Sequence, residues 1–186
     1  MPYTKIVNEN KSRMSKAVEF LVSELRSIRT GRASSGLVEN LKVDYYGSPT
    51  PLKQMATIAT PEASLIVIKP FDPSSVKEIE KAIRNSELSL APIAEGNMIR
   101  LNVPPLSEER RKQLVGQVKQ LGEQAKVSIR NLRREAIKEL EDEQKAKILT
   151  EDDLEKGKKE IDRLTKDFVD NIDSSVKGKS GEVMED

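Results

Sequence analysis

The stretch Arg130-Asn131-Leu132-Arg133-Arg134 places three guanidiniums within five residues. A guanidinium is a planar fork of N–H donors that stays charged at any physiological pH, so such a cluster is suited to gripping phosphate oxygens in pairs. Proton-transfer chemistry is poorly supplied. The chain has no His and no Cys, which removes the usual general base, thiolate catalysis and the commonest zinc ligands. Gly178-Lys179-Ser180 resembles the end of a phosphate-binding loop, but Asp173 stands where the first glycine of that loop belongs and no strand precedes it. Glu151, Asp152, Asp153 and Glu155 are explained more simply as the acidic first turn of a helix than as a metal site. No Ser sits in a nucleophile elbow, and Tyr45 and Tyr46 read as sheet or surface residues. The expectation is a protein with no catalytic residues, metal or cofactor.

The basic residues are segregated. Net charge is only +1, yet Arg110 to Lys138 holds nine basic and two acidic residues, and Glu139 to Asp186 holds nine basic and sixteen acidic. With Arg130 as zero on a helical wheel, Lys112, Lys119, Lys126, Arg133 and Arg134 all fall within about 60° of it, beside an apolar face carrying Leu132, Ala136 and Leu140. Surface helices usually mix signs at i,i+4, so this flank suits an extended polyanion. With aromatics at 3% and none interleaved, base stacking is not indicated. Recognition of RNA shape by a rigid helix is the sharper reading. The bland one is a solvated face, with Arg133 clamping a carboxylate of a neighbouring helix.

Three long amphipathic segments must position these groups. Met14, Val18, Leu21, Leu25 and Ile28 recur at helical spacing over about residues 5–29. A second stripe, capped by Ser107, runs Leu114, Val118, Leu121, Ala125, Ile129, Leu132, Ala136 and Leu140 to about Lys147. After a turn near Thr150, Leu154, Ile161, Leu164, Phe168, Ile172 and Val176 form the third, before residues 178–186 fray as a polar tail. Residues 37–103 differ: β-favouring runs, a turn at Gly47-Ser48-Pro49-Thr50-Pro51, a short helix with Ser75 and Glu78 as capping box, and a hairpin turning near Gly96. The economical architecture is an α+β three-helix bundle, residues 1–30 with 105–186, interrupted by a small β/α/β domain, residues 31–104. Gly31 on one connection and Pro104-Pro105 on the other mark a candidate hinge, although Gly31 also reads as a plain helix stop. No apolar run is long enough to span a bilayer, and the N-terminal residues lack a signal-peptide core, so a cytoplasmic protein with no membrane partner is expected.

Four stretches in order carry a resemblance: Ile28-Arg29-Thr30-Gly31-Arg32-Ala33-Ser34, Val43-Asp44-Tyr45-Tyr46-Gly47-Ser48-Pro49-Thr50-Pro51-Leu52, residues 104–112 (PPLSEERRK), and Arg130-Asn131-Leu132-Arg133-Arg134. Together they resemble the bacterial ribosome recycling factors over essentially the whole chain. The resemblance implies an L-shaped, tRNA-like monomer that binds the large ribosomal subunit and its rRNA. It also implies action with elongation factor G and GTP to split the post-termination ribosome, without the chain being a GTPase. It makes Arg133 the leading rRNA contact, with Arg130 and Arg134 beside it. Arg29, Arg32, Arg110 and Arg111 carry over too, either to RNA or to bracing the joint. The rival function class is a helical protein-interaction adaptor without RNA binding.

Overall fold

The structure is a computed structural model that describes residues 2–185. Three long helices, α1 (Pro2–Ser27), α3 (Glu108–Lys145) and α4 (Glu151–Met184), flank a region holding β1 (Lys42–Tyr45), β2 (Ser48–Pro51), β3 (Ala56–Glu62), β4 (Leu65–Pro70), α2 (Val76–Arg84), β5 (Pro92–Glu95) and β6 (Met98–Asn102). The α+β class expected from periodicity is the class observed. The chain forms two compact units: Met1–Leu25 with Gly116–Lys179, and Arg26–Val115 with Ser180–Asp186.

In the helical unit each predicted apolar stripe turns inward. Met14, Val18 and Leu21 of α1, Val118, Ile129 and Leu140 of α3, and Ile161, Leu164 and Ile172 of α4 are all buried. Packed together, they remove from water the faces that none of the helices could shield alone. Helices α3 and α4 run antiparallel: Gly122 lies against Val176, Lys126 pairs with Asp173, Arg133 with Asp162, and Leu140 packs on Gly157. Thr150 starts α4 with its hydroxyl, which accepts from the Asp153 N–H at 3.1 Å and donates to the Asp153 carboxylate at 2.8 Å. Asn10, buried on α1, donates its amide to the Leu132 carbonyl of α3 at 2.7 Å, fixing the first helix against the second.

The other unit is built on an antiparallel sheet of order β3-β4-β6-β5, with β1 and β2 forming a separate hairpin. Alternation puts Ile66 and Ile68 of β4 and Ile99 and Leu101 of β6 on the inner face, where Ile79 and Ile83 of α2 and Val43 and Leu52 close the core.

Three local expectations change. Ser48-Pro49-Thr50-Pro51 is strand β2; the turn is Tyr46-Gly47, where both residues take positive φ, and β2 tolerates its prolines because β1 is its one ladder partner. The Ser75–Glu78 capping box does not form. Ser75 donates its hydroxyl back to the Asp72 carbonyl, and Asp72 caps the preceding turn by accepting from the Ser74 N–H. Helix α4 continues through Gly178 and Gly181 to Met184 rather than fraying. Two tertiary contacts outweigh the weak glycine propensity: Val183 is fully buried, and an Arg111 Nη donates to the Met184 carbonyl at 3.2 Å, satisfying an acceptor that a helix end leaves open.

The glycines of α3 test this packing with opposite signs. A Cβ at Gly122 would stand 2.5 Å from Val176 Cγ2, a β-branched side chain with little rotamer freedom, whereas one at Gly116 meets nothing within 4 Å. Gly116→Ala should stabilise by about 0.5–1 kcal/mol through helix propensity. Gly122→Ala should lose that gain to overpacking of about 1–3 kcal/mol. Thermal melts of the two variants should shift in opposite directions.

Candidate nucleic-acid interface

Helix α3 presents its basic residues at two distances from its neighbour. Lys126 and Arg133, closest in phase to the apolar face, point toward α4 and meet its acidic residues. Lys126 donates to Asp173 at 2.6 Å and to Glu123 at 3.0 Å, and its side chain is only 17% exposed. The bond to Asp173, followed by that to Glu123, raises the Lys126 pKa, so the ammonium is held charged in the seam. Arg133 donates its Nε to Asp162 at 2.6 Å while its side chain remains 42% exposed. The bond occupies the inner edge of the fork and leaves the terminal nitrogens without a protein partner among the described residues.

Arg130 and Arg134 lie farther out. Both are exposed, and among the described residues neither makes a hydrogen bond or ion pair. The same holds for Lys119. Side chains one helical turn apart share a face, so Arg130 and Arg134 offer adjacent forks with the outer edge of Arg133 beside them. An unpaired surface guanidinium keeps its full field for an incoming anion. One already facing a carboxylate has part of that field cancelled. The geometry can therefore take phosphate oxygens at Arg130, Arg134 and the open edge of Arg133, while Lys126 is committed inside the bundle.

The remaining basic candidates lie in the other unit. Lys112 pairs with Glu108 one turn away at 2.7 Å. Arg29 donates one terminal nitrogen to the Pro104 carbonyl at 2.7 Å and the other to the Leu88 carbonyl at 3.5 Å. Burial lowers its pKa, with the nearby charge of Arg110 adding to the effect. It thus ties the chain leaving α1 to the chain entering α3. Arg111 donates to the Leu106 and Met184 carbonyls, and Arg110 to Gln113. Arg32 is exposed, its backbone held by the Thr30 hydroxyl. Gly31 lacks the positive φ that would demand glycine, and a Cβ there would come no closer than 3.9 Å to the Glu185 carbonyl oxygen. Pro104 and Pro105 are both exposed.

Sequence reasoning allowed Arg133 a carboxylate on a neighbouring helix but named neither Asp162 nor Asp173, and it missed the pairing of Lys126. Asp162 and Asp173 stand eleven residues apart, close to three whole turns, so they share one side of α4. That row, read beside the basic row of α3, was the available signal. Asn10 left none, because a lone polar residue within an apolar stripe does not announce which carbonyl it will meet.

Comparison with known proteins agrees with this architecture along the whole chain. The family model described as ribosome recycling factor matches residues 21–184. The ribosome-recycling factor of Geobacillus kaustophilus is 49% identical over 181 residues, covering 97% of this chain and 98% of that protein. The protein of the same name from Staphylococcus aureus is 46% identical over 179 residues, covering 96% and 97%. Among solved structures, a solution structure of a ribosome recycling factor superposes with a TM-score of 0.76 at 41% identity, covering 99% of this chain and 98% of that one. A model of the T. thermophilus factor, described together with E. coli elongation factor G bound to the E. coli post-termination complex, gives a TM-score of 0.68 at 40% identity over the full length of both chains. A match that spans both units and the helix bearing the free arginines leaves one assignment: the chain belongs to the ribosome recycling factor family.

Proposed function

We propose that the outward guanidiniums of α3 hold rRNA phosphates of the large ribosomal subunit while the chain, together with elongation factor G and GTP, separates the post-termination ribosome into subunits. The chain is a translation factor of a non-enzymatic family and works by binding. GTP hydrolysis belongs to the elongation factor. One observation carries the choice of residues: on a flank whose inner members are neutralised by α4, Arg130 and Arg134 alone of the arginine cluster keep wholly unpaired forks.

The helical bundle, residues 1–30 with 105–186, is the RNA-binding body in this reading, and the insertion, residues 31–104, is the surface offered to elongation factor G. Arg29 acts as a brace, because both of its terminal nitrogens are spent on backbone carbonyls. Lys112, and Arg32 at the edge of the insertion, are auxiliary phosphate contacts; Gly31 with Pro104-Pro105 marks the joint in the 1–30, 31–104, 105–186 division, and all three lie within the compact unit that contains Arg26–Val115. No helix among the described residues is long and apolar enough to cross a membrane. The place of work is the cytoplasm, where ribosomes are, and the chain acts as a monomer.

Subunit separation requires that the chain stabilise the strained or separated ribosome more than the intact one, since equal affinity for both states shifts nothing. Phosphate contacts supply affinity and register, and the elongation factor supplies the work.

Arg130→Ala and Arg134→Ala should each weaken binding to isolated 50S subunits and lower the log–log salt slope by roughly 0.7–0.9 for every phosphate that is no longer neutralised. Their melting curves should match that of the unsubstituted chain. Unchanged 50S binding across a salt titration in both variants would remove these residues from the interface. A purely apolar protein contact, as in the adaptor reading, would be almost indifferent to salt.

Arg29→Ala should behave inversely. It strips partners from two carbonyls and should cost about 1 kcal/mol or more of stability, seen as a lower melting temperature. Its salt slope for 50S binding should stay the same. A drop in slope without a drop in melting temperature would make Arg29 an RNA contact instead.

A further inference from the structure

The hairpin between β1 and β2 turns through Tyr46 at φ 50° and Gly47 at φ 81°. Two consecutive positive φ values are the pattern of a tight hairpin turn, for which Asn-Gly is the favoured pair. A tyrosine in the first position is strained and is not repaid by burial, because the residue is 84% exposed, the highest value among the exposed large hydrophobic residues. Strain of this kind clusters at functional sites.

The surroundings specify what the ring could meet. Tyr45 packs edge-on against it, with centroids 4.7 Å apart, and is itself directed toward Asp72, to whose carboxylate its hydroxyl donates at 3.3 Å. Beside the ring opens a cavity of about 460 Å³ lined by Asp44, Ser74, Ser75 and Glu78 as well as the two tyrosines and Gly47, with no basic residue among them. Glu78 has no hydrogen bond or ion pair among the described residues. The N–H of Ser74, the donor best placed to attract an anion, already donates to Asp72. Asp44 accepts from the Gly47 N–H at 2.8 Å, and the hydroxyls of Tyr45, Ser74 and Ser75 are engaged, so a phosphodiester would face carboxylates with only the Tyr46 hydroxyl as an unengaged side-chain donor among these residues, whereas a lysine or arginine would find an aromatic face and the unpaired charge of Glu78 together.

We infer that Tyr46, with Asp44 and Glu78, forms a docking pocket for a lysine or arginine side chain carried by a protein partner during recycling. The inference rests on the proposed recycling function and adds to it a second contact of opposite chemistry. The helical unit grips RNA through exposed arginines, and the hairpin of the other unit grips protein through an aromatic ring and carboxylates.

Tyr46→Asn provides a test in which folding and function separate. Asn suits the turn better, so the melting temperature should hold or rise, and binding to isolated 50S subunits should persist. Splitting of vacant 70S ribosomes by elongation factor G and GTP should slow by about three- to thirty-fold, the range expected when a partly to fully desolvated cation–π interaction is removed. Tyr46→Phe should keep most of the splitting rate because it keeps the ring, and Glu78→Lys should slow splitting by repelling the incoming cation. Tyr46→p-benzoylphenylalanine, irradiated in the same complex, should crosslink to a protein segment with a lysine or arginine beside the point of attachment. Normal splitting by Tyr46→Asn, or a crosslink to rRNA alone, would overturn the pocket. Failure of the unsubstituted chain to split ribosomes would instead overturn the function on which the pocket rests.

Discussion

The close antiparallel approach of α3 and α4 is the constraint on which the rest of the helical unit depends. Gly122 has no side chain to hold Val176 away, and Gly157 receives the end of Leu140, so the two helices meet at points where an ordinary Cβ would have to push in. That proximity brings Asp173 and Asp162 within reach of Lys126 and Arg133. It therefore decides which members of the basic flank are neutralised by the protein itself and which remain open. A wider seam would leave all of them solvated and would blur the distinction between structural and functional charge.

This distinction explains why net charge is a poor guide here. The chain is nearly neutral, yet its positive and negative residues are sorted along the sequence and then folded against each other. Exposed ion pairs contribute only about 0–1 kcal/mol each, so the seam adds modestly to stability beside the buried stripes of Leu, Ile and Val. Its larger effect is on direction. A guanidinium fastened at Nε, as in Arg133, would have fewer orientations to lose in taking a phosphate as proposed, and part of the entropic cost of binding would be met in the free protein.

Much of this was legible in sequence because helical periodicity is a local signal. Met14, Val18 and Leu21, or Val118, Ile129 and Leu140, announce an inward face without knowledge of what covers it, and each proved buried. The β-favouring runs worked likewise for the existence of the sheet, while the inner face carrying Ile66 and Ile68 emerged only with the strand pairing. What escaped depends on partners distant in sequence. Two glycines and a polar tail predict fraying for residues 178–186, and the distant Arg111 and the burial of Val183 help reverse that expectation through Met184. Ser48-Pro49-Thr50-Pro51 has turn composition but strand geometry because β1 lies alongside. At the site, the wheel placed Arg130, Arg133, Arg134, Lys119 and Lys126 on one flank. It could not separate the paired from the unpaired, since that depends on where α4 places its aspartates.

In the proposed function the two units also divide the labour in charge. RNA presents one repeated anionic feature, so a row of guanidiniums can bind it strongly while remaining tolerant of sequence. Such contacts alone would hold the protein on any accessible stretch of phosphate. Productive recycling by that route would need a contact that cannot be satisfied by the same polyanion, and the proposed pocket of carboxylates and tyrosine would meet that requirement because its charge repels RNA. Opposite chemistries on separate units make the wrong arrangement costly as well as the right one favourable, which is how specificity is obtained from contacts that are individually unselective.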